Sequence, residues 1–176
     1  MIKKMTNKNL LTICAIIAFL QCFLDFFIFK SELNSITSNK LVLTISFIIV
    51  SITQFISFIV IYSIIPYIFS VIVNSWRKDS FVEIKTIKKC LYLSHLISVF
   101  HILISSILIF INVNIDLFLY RVIYMNILAI IISSILFFLL KQHKVLTIKA
   151  IIISISMFAI YFSQNLLIMG GDFIWV

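Results

Sequence analysis

Long apolar runs alternate with short polar segments along the whole chain. The apolar runs cover residues 9–29, 41–73, 90–111, 122–140 and 150–169. Because a helix rises about 1.5 Å per residue, about 20 apolar residues cross a hydrocarbon core of about 30 Å. The pattern predicts one all-α domain over residues 1–176, a polytopic transmembrane helix bundle with about five spans.

The second apolar run is unusually long. Leu41 to Val73 contains no charged side chain. This run is too long for one upright crossing of the membrane and too short for two crossings with a turn. Pro66 lies inside this run, and its ring removes a backbone hydrogen bond from a helix. We therefore expect one tilted helix with a kink near Pro66.

Composition and charge agree with a chain surrounded by lipid in a cell membrane. Hydrophobic residues make up 63% of the 176 residues and charged residues 11%, whereas soluble domains carry about 25% charged residues. The formal net charge is +8, but the basic residues fall in short runs between apolar segments. No basic face forms without crossing an apolar run, so nucleic acid is not expected as a partner.

The positions of the basic residues predict how the chain is oriented. With the N-terminus in the cytoplasm, eleven of the fourteen lysines and arginines lie in cytoplasmic segments. The other three are Lys30, Lys40 and Arg121. Since cytoplasmic loops carry an excess of Lys and Arg, the N-terminus is predicted to be cytoplasmic and the C-terminus exterior.

Ionisable groups inside predicted spans are candidates for function, because an unpaired charge there costs several kcal/mol. Asp25 lies near the outer end of the first span, with Gln21 one turn below it on the same face. Water, Lys30 or Arg121 of the fourth span could neutralise this carboxylate. His95 and His101 lie on the third span. A structural role and a role toward an ion, proton or substrate both stay open for these side chains.

A polar stripe is predicted along the third span. Its members follow 4-3-4 helical spacing and are Ser94, Ser98, His101 and Ser105. The second span offers a possible partner stripe of Ser46, Thr53, Gln54 and Ser57. Hydrogen bonds between such stripes contribute about 0.6 kcal/mol each in membranes. His95 and His101 are six residues apart and do not share a face, so no metal site is predicted.

The polar segment before the third span is predicted to contact the membrane surface. Residues 80–83 match a capping box with Ser80 as N-cap, followed by apolar residues at helical spacing and by Lys85, Lys88 and Lys89. This pattern is typical of an amphipathic turn at the headgroups. Anionic lipid headgroups would gain about 1 kcal/mol per basic residue. Alternatively, these lysines only determine the topology.

Motifs of catalysis are missing from the sequence. It contains no HExxH, GxSxG, CxxC or Gly-rich phosphate loop, and the cysteines Cys14, Cys22 and Cys90 do not form a disulfide framework. We therefore expect neither an enzyme nor a cofactor. We expect a protein that acts by binding.

Two loops of this chain resemble loops of a known family of membrane proteins. A polar loop, Arg77 to Lys89, precedes the third span, and a short basic loop, Lys144 to Lys149, leads into a last span that starts with Ala150. In these features the chain resembles the bacterial branch of the Yip1-like five-span membrane proteins, although it lacks their many Pro and Gly residues. The resemblance implies an accessory partner of a membrane transport, trafficking or stress system. Alternatives are an immunity or production factor for a membrane-active, bacteriocin-like peptide, and a small transporter.

Overall fold

The computed structural model describes residues 6–36, 40–76, 80–111 and 124–173, apart from some side chains inside the helices. Within these ranges every regular element is helical. The helices are α1 (Asn7–Ile36), α2 (Lys40–Ile59), a π-helical turn (Val60–Ile64), α3 (Ile65–Trp76), α4 (Ile84–His95), α5 (Ser98–Phe110), α6 (Met125–Gln142) and α7 (Thr147–Phe173).

Three helical stretches of the described chain are long and apolar enough to cross a membrane. They are Phe55–Trp76, Ile84–Ile107 and Met125–Gln142, and two shorter apolar stretches are Asn7–Gln21 and Thr147–Ser163. The predicted all-α class is confirmed, with three candidate spans. Five spans and their orientation stay predictions.

Two helices extend beyond the predicted apolar runs. α1 continues to Ile36 through the polar residues after Phe29, and α7 continues to Phe173 through Gly170 and Gly171. The apolar pattern marks where lipid would surround a helix, whereas the helix itself ends only where backbone hydrogen bonding ends. The sequence therefore placed these helix ends too early.

One end of the bundle, here called the basic end, gathers five helix termini. The side-chain amide of Asn7 donates to the carbonyl of Lys85 at 3.3 Å, which joins the starts of α1 and α4. Lys149 Nζ donates to Asn74 Oδ1 at 3.4 Å, which joins the start of α7 to the end of α3. α6 also ends here, since its last residue is followed shortly by α7. At this end α1, α4 and α7 begin, whereas α3 and α6 end.

α4 lies in the middle of the packing. It contacts α1, α3, α6 and the π-helical turn, while α6 also packs against α7. Its apolar side chains Ile87, Cys90 and Leu91 are fully buried. The segment predicted to lie at the headgroups is therefore the first part of the candidate span Ile84–Ile107, and its apolar face packs against other helices. This span corresponds to the predicted third span and is called the third candidate span below.

The expected disturbance near Pro66 is a π-helical turn that precedes the proline. The N–H of Ile65 donates to the carbonyl of Val60, five residues back. Pro66 has no N–H, so the carbonyl of Tyr62 lacks its ordinary α-helical donor. The Tyr92 hydroxyl donates to this carbonyl at 3.3 Å, and α4 thereby supplies a bond that the proline removes.

The third candidate span is broken at Leu96 and Ile97, between α4 and α5. Beyond the break, the N–H of Val99 donates to Leu96 O at 3.1 Å and that of Phe100 to Ile97 O at 2.9 Å. These are tight bonds of the 3₁₀ type. Neither Gly nor Pro marks the break, and the sequence pattern of the predicted span over residues 90–111 did not indicate it.

Candidate functional site

The connection between α3 and α4 is held by the side chain of Asn74. Its Nδ2 donates to the carbonyl of Val82 at 3.0 Å, and its Oδ1 accepts from the N–H of Val82 at 2.9 Å. The hydroxyl of Ser70 donates to the same carbonyl at 3.2 Å. One amide side chain therefore binds both backbone groups of Val82, which fixes this residue against the end of α3.

The predicted capping box is not formed. α4 begins at Ile84, with Glu83 in the N-cap position and without a side-chain capping bond. The N–H groups of Thr86 and Ile87 donate to the Glu83 carbonyl at 3.0 and 3.2 Å. Val82 is bound by Asn74 instead, so the loop stays extended until Glu83 and the helix starts later than the sequence pattern predicted.

Lys149 adds a buried cation to this connection. It lies in the first turn of α7 and is 1% exposed. Its Nζ donates to Asn74 Oδ1 and to the carbonyl of Ser80. A buried ammonium group must be hydrogen-bonded, because removing it from water without partners is very costly. We call residues 80–83, together with Ser70, Asn74 and Lys149, the locked loop.

Sequence reasoning placed Lys149 in the short basic loop before the last span and did not predict its burial. A signal for its burial was present, since Lys149, Ile153 and Met157 follow i, i+4, i+8 spacing and share one face of α7. Ile153 and Met157 are fully buried. The periodicity could therefore have placed Lys149 on the packed face, but no pattern pointed to Asn74 as its partner.

Exposed aromatic side chains and lysines lie in the locked loop and close to it in sequence. Phe81 is 77% exposed and Trp76 68% exposed. Lys85 is exposed, Lys89 is half-buried, and Lys88 places its Nζ 4.5 Å from the centre of the Tyr67 ring. Exposed aromatic rings beside lysines suit the headgroup level of a membrane or an acidic partner.

A second polar group lies at the break in the third candidate span. His95 is 8% exposed, and its ring meets the ring of Tyr62 edge-on at a centroid distance of 5.1 Å. Ser98, on the other side of the break, is 1% exposed. Neither ring nitrogen of His95, nor the hydroxyl of Ser98, has a hydrogen-bond partner among the described residues.

Tyrosines connect the helices around this break. The hydroxyls of Tyr62 and Tyr161 lie 3.4 Å apart, which links the π-helical turn to α7. Cys14 Sγ donates to the carbonyl of Tyr92 at 3.5 Å, which links α1 to α4. Sequence reasoning missed this cluster. Its only signal was a tyrosine inside each of three apolar runs, since a buried tyrosine hydroxyl usually finds a partner.

The polar stripe of the third span does face the bundle, as predicted. Its four members are buried although the helix is broken between them: Ser94, Ser98, His101 and Ser105. His101 Nδ1 lies 3.3 Å from the hydroxyl of Tyr124. The partner stripe on the second span is wrong at Thr53, which is exposed and donates to Ile49 O in its own helix at 2.9 Å.

The polar side chains predicted near the outer end of the first span are described only in part. Gln21 is half-buried on α1. Arg121 and the side chains of Asp25 and Gln54 lie outside the described part of the structure, so the predicted pairing of Asp25 with Arg121 stays a prediction. Among the described residues, no three or more His, Cys, Asp or Glu side chains are grouped so that they could hold a metal ion.

No family model, curated protein or solved structure matches this chain. The resemblance to Yip1-like proteins therefore stays an expectation from the sequence.

Proposed function

We propose that this chain is a multi-pass, non-enzymatic protein of the cell membrane that acts as an accessory partner of a membrane transport, trafficking or stress system. In this proposal five spans cross the membrane, and the basic end faces the cytoplasm because most basic residues lie there. The observation that carries the proposal is the locked loop, which holds Phe81 exposed beside the lysines of α4.

The preorganisation of the locked loop is the physical reason for proposing that a partner docks on it. Ordering a loop costs about 1–2 kcal/mol per residue in backbone entropy, and this loop is ordered within the chain itself by Asn74, Ser70 and Lys149. A partner that docks on it avoids that cost. A connection that only joined two helices would gain nothing from holding an exposed phenylalanine ring in one position.

The charge around Phe81 indicates the chemistry of the partner. Lys85 and Lys89 lie on the first turns of α4, close in sequence to Phe81. An acidic cytoplasmic segment of a membrane protein, with an apolar side chain that packs on the Phe81 ring, would match this surface. Anionic lipid headgroups are also negatively charged, but their binding does not need an ordered aromatic ring.

Affinity purification in mild detergent tests the proposal. We expect Phe81→Ala, and separately the joint replacement of Lys85, Lys88 and Lys89 by Gln, to reduce the co-purified partner complex about five-fold or more, because either change removes part of the docking surface. Phe138→Ala is the matched control, since Phe138 is also an exposed phenylalanine but lies on α6.

Quantification of co-purified lipids separates the two kinds of partner. If the lysine replacements remove anionic lipid while the protein partners of Phe81→Ala and Phe138→Ala are the same, the basic end is a lipid site. The accessory function would then be wrong.

A further inference from the structure

The break in the third candidate span brings unsatisfied polar groups into the interior of the bundle. His95 lies eleven residues beyond the start of α4 at Ile84, which is about 16 Å along a helix. That depth is about half of a hydrocarbon core of about 30 Å. The break therefore lies near the middle of a membrane that surrounds this helix.

Buried polar groups in folded proteins almost always have a hydrogen-bond partner, and each one without a partner costs about 1–3 kcal/mol. Three such atoms occur within four residues here, namely both ring nitrogens of His95 and the hydroxyl oxygen of Ser98. The neighbouring Ser94 differs, because its hydroxyl donates to Leu91 O at 2.9 Å. Within the stripe, the lack of hydrogen-bond partners is thus limited to the two sides of the break, where three such atoms lie close in sequence. Elsewhere in the described chain only single hydroxyls lack a partner, those of Ser80, Ser133 and Ser154.

We infer that the break between α4 and α5 is a binding site for a small, uncharged molecule that both donates and accepts hydrogen bonds, namely water or a solute of similar chemistry. The inference does not depend on the proposed function, since it concerns the middle of the bundle and not the basic end.

The chemistry of the two side chains selects this ligand class. A neutral imidazole offers one donor and one acceptor, and a serine hydroxyl offers both. A ligand that only accepts or only donates would leave one of these atoms without a partner. A charged ligand would in addition lose its hydration at this depth. Water commonly makes about three hydrogen bonds at such buried sites.

The irregular backbone at Leu96 and Ile97 lies next to the proposed site. In a continuous α-helix the backbone groups of Leu96 and Ile97 would form hydrogen bonds with residues four positions away. Here the helix is interrupted next to two buried polar side chains. Membrane proteins tolerate irregular backbone at this depth where it is buried in protein or lines a polar site.

Solid-state NMR of the wild-type protein in bilayers, with ¹⁵N-labelled histidine, tests the site directly. We expect magnetisation to pass from water to the ring nitrogens of His95, and His95→Phe to remove that signal. His101→Gln and His143→Gln assign the other two histidines. Added urea distinguishes the sources, because a signal lowered by urea indicates an exchangeable solute and an unchanged signal indicates bound water. Ring nitrogens of His95 that receive no magnetisation from water, with or without urea, would overturn the inference.

Thiol reactivity gives a second, independent measurement. A hydrated thiolate attacks the sulfur of a methanethiosulfonate reagent and displaces methanesulfinate. Ser98→Cys should therefore react at least ten-fold faster than Ser94→Cys in a background with Cys14, Cys22 and Cys90 replaced by Ala. Ser94 is the matched control because it is equally buried but already hydrogen-bonded. Equal reaction rates at the two positions, in variants that keep the wild-type detergent stability, would contradict a polar site at the break.

Discussion

Replacing Lys149 by Met removes the cation of the locked loop while keeping a side chain of similar length. The carbonyl of Ser80 then loses its bond from Nζ, whereas Asn74 Oδ1 still accepts from the N–H of Val82 at 2.9 Å. A hydrogen bond to a charged group contributes about 1.5–3 kcal/mol, and a buried carbonyl without a partner costs about 1–3 kcal/mol. Relief from burying the ammonium group offsets part of this loss. We expect a net destabilisation of about 1–3 kcal/mol.

Asn74→Ala alone should destabilise the protein more than Lys149→Met does, by about 2–4 kcal/mol. The replacement leaves both backbone groups of Val82 without their hydrogen bonds to Asn74 at 2.9 and 3.0 Å. Since Lys149 and Asn74 are in contact, their effects should not add. The double variant should show a coupling energy of at least about 0.5 kcal/mol.

Reversible unfolding in detergent measures all three variants. Lys144→Met is the control, because Lys144 is an exposed lysine in the loop before α7, and it should change the free energy of unfolding by less than about 0.5 kcal/mol. A Lys149→Met variant more stable than the wild type, or a coupling energy near zero, would refute the reasoning that the locked loop is stabilised through Lys149.

Two further predictions concern topology and the polar stripe. Reporter fusions should indicate cytoplasm after Lys8, Lys85 and Lys144 and the exterior after Asn34, Asn114 and Gly171, since the basic residues lie mainly in the first set of segments; a cytoplasmic signal after Gly171 would rule out five spans. His101→Leu should lower stability in detergent by about 0.5–2 kcal/mol through loss of its contact with Tyr124. Tyr124→Phe should give a similar loss, and no effect of either replacement would show that the contact contributes nothing.

Helical periodicity was enough to place the polar stripe correctly. Ser94, Ser98, His101 and Ser105 are all buried, because spacing of four and three residues keeps side chains on one face even across a two-residue turn. The π-helical turn could also be anticipated in part, since a proline inside a long apolar run always removes a backbone donor. These features follow from local geometry, which the order of residues determines directly.

The break at Leu96 and Ile97 could not be predicted from helical periodicity. Its residues are apolar and carry no Gly or Pro, so local preference favours a continuous helix. The buried environment of α4, with contacts to α1, α3 and α6, decides the backbone there, and tertiary packing commonly overrides weak local preferences.

By itself the sequence determined that this protein is helical and apolar enough for a membrane, and which face of the third span is polar. Only the tertiary structure decided that Lys149 is a buried partner of Asn74 and that α4 lies in the middle of the bundle. The physical reason is distance along the chain. The hydrogen bond between these two side chains joins residues 75 positions apart, and periodicity carries information only about neighbours within a few turns of one helix.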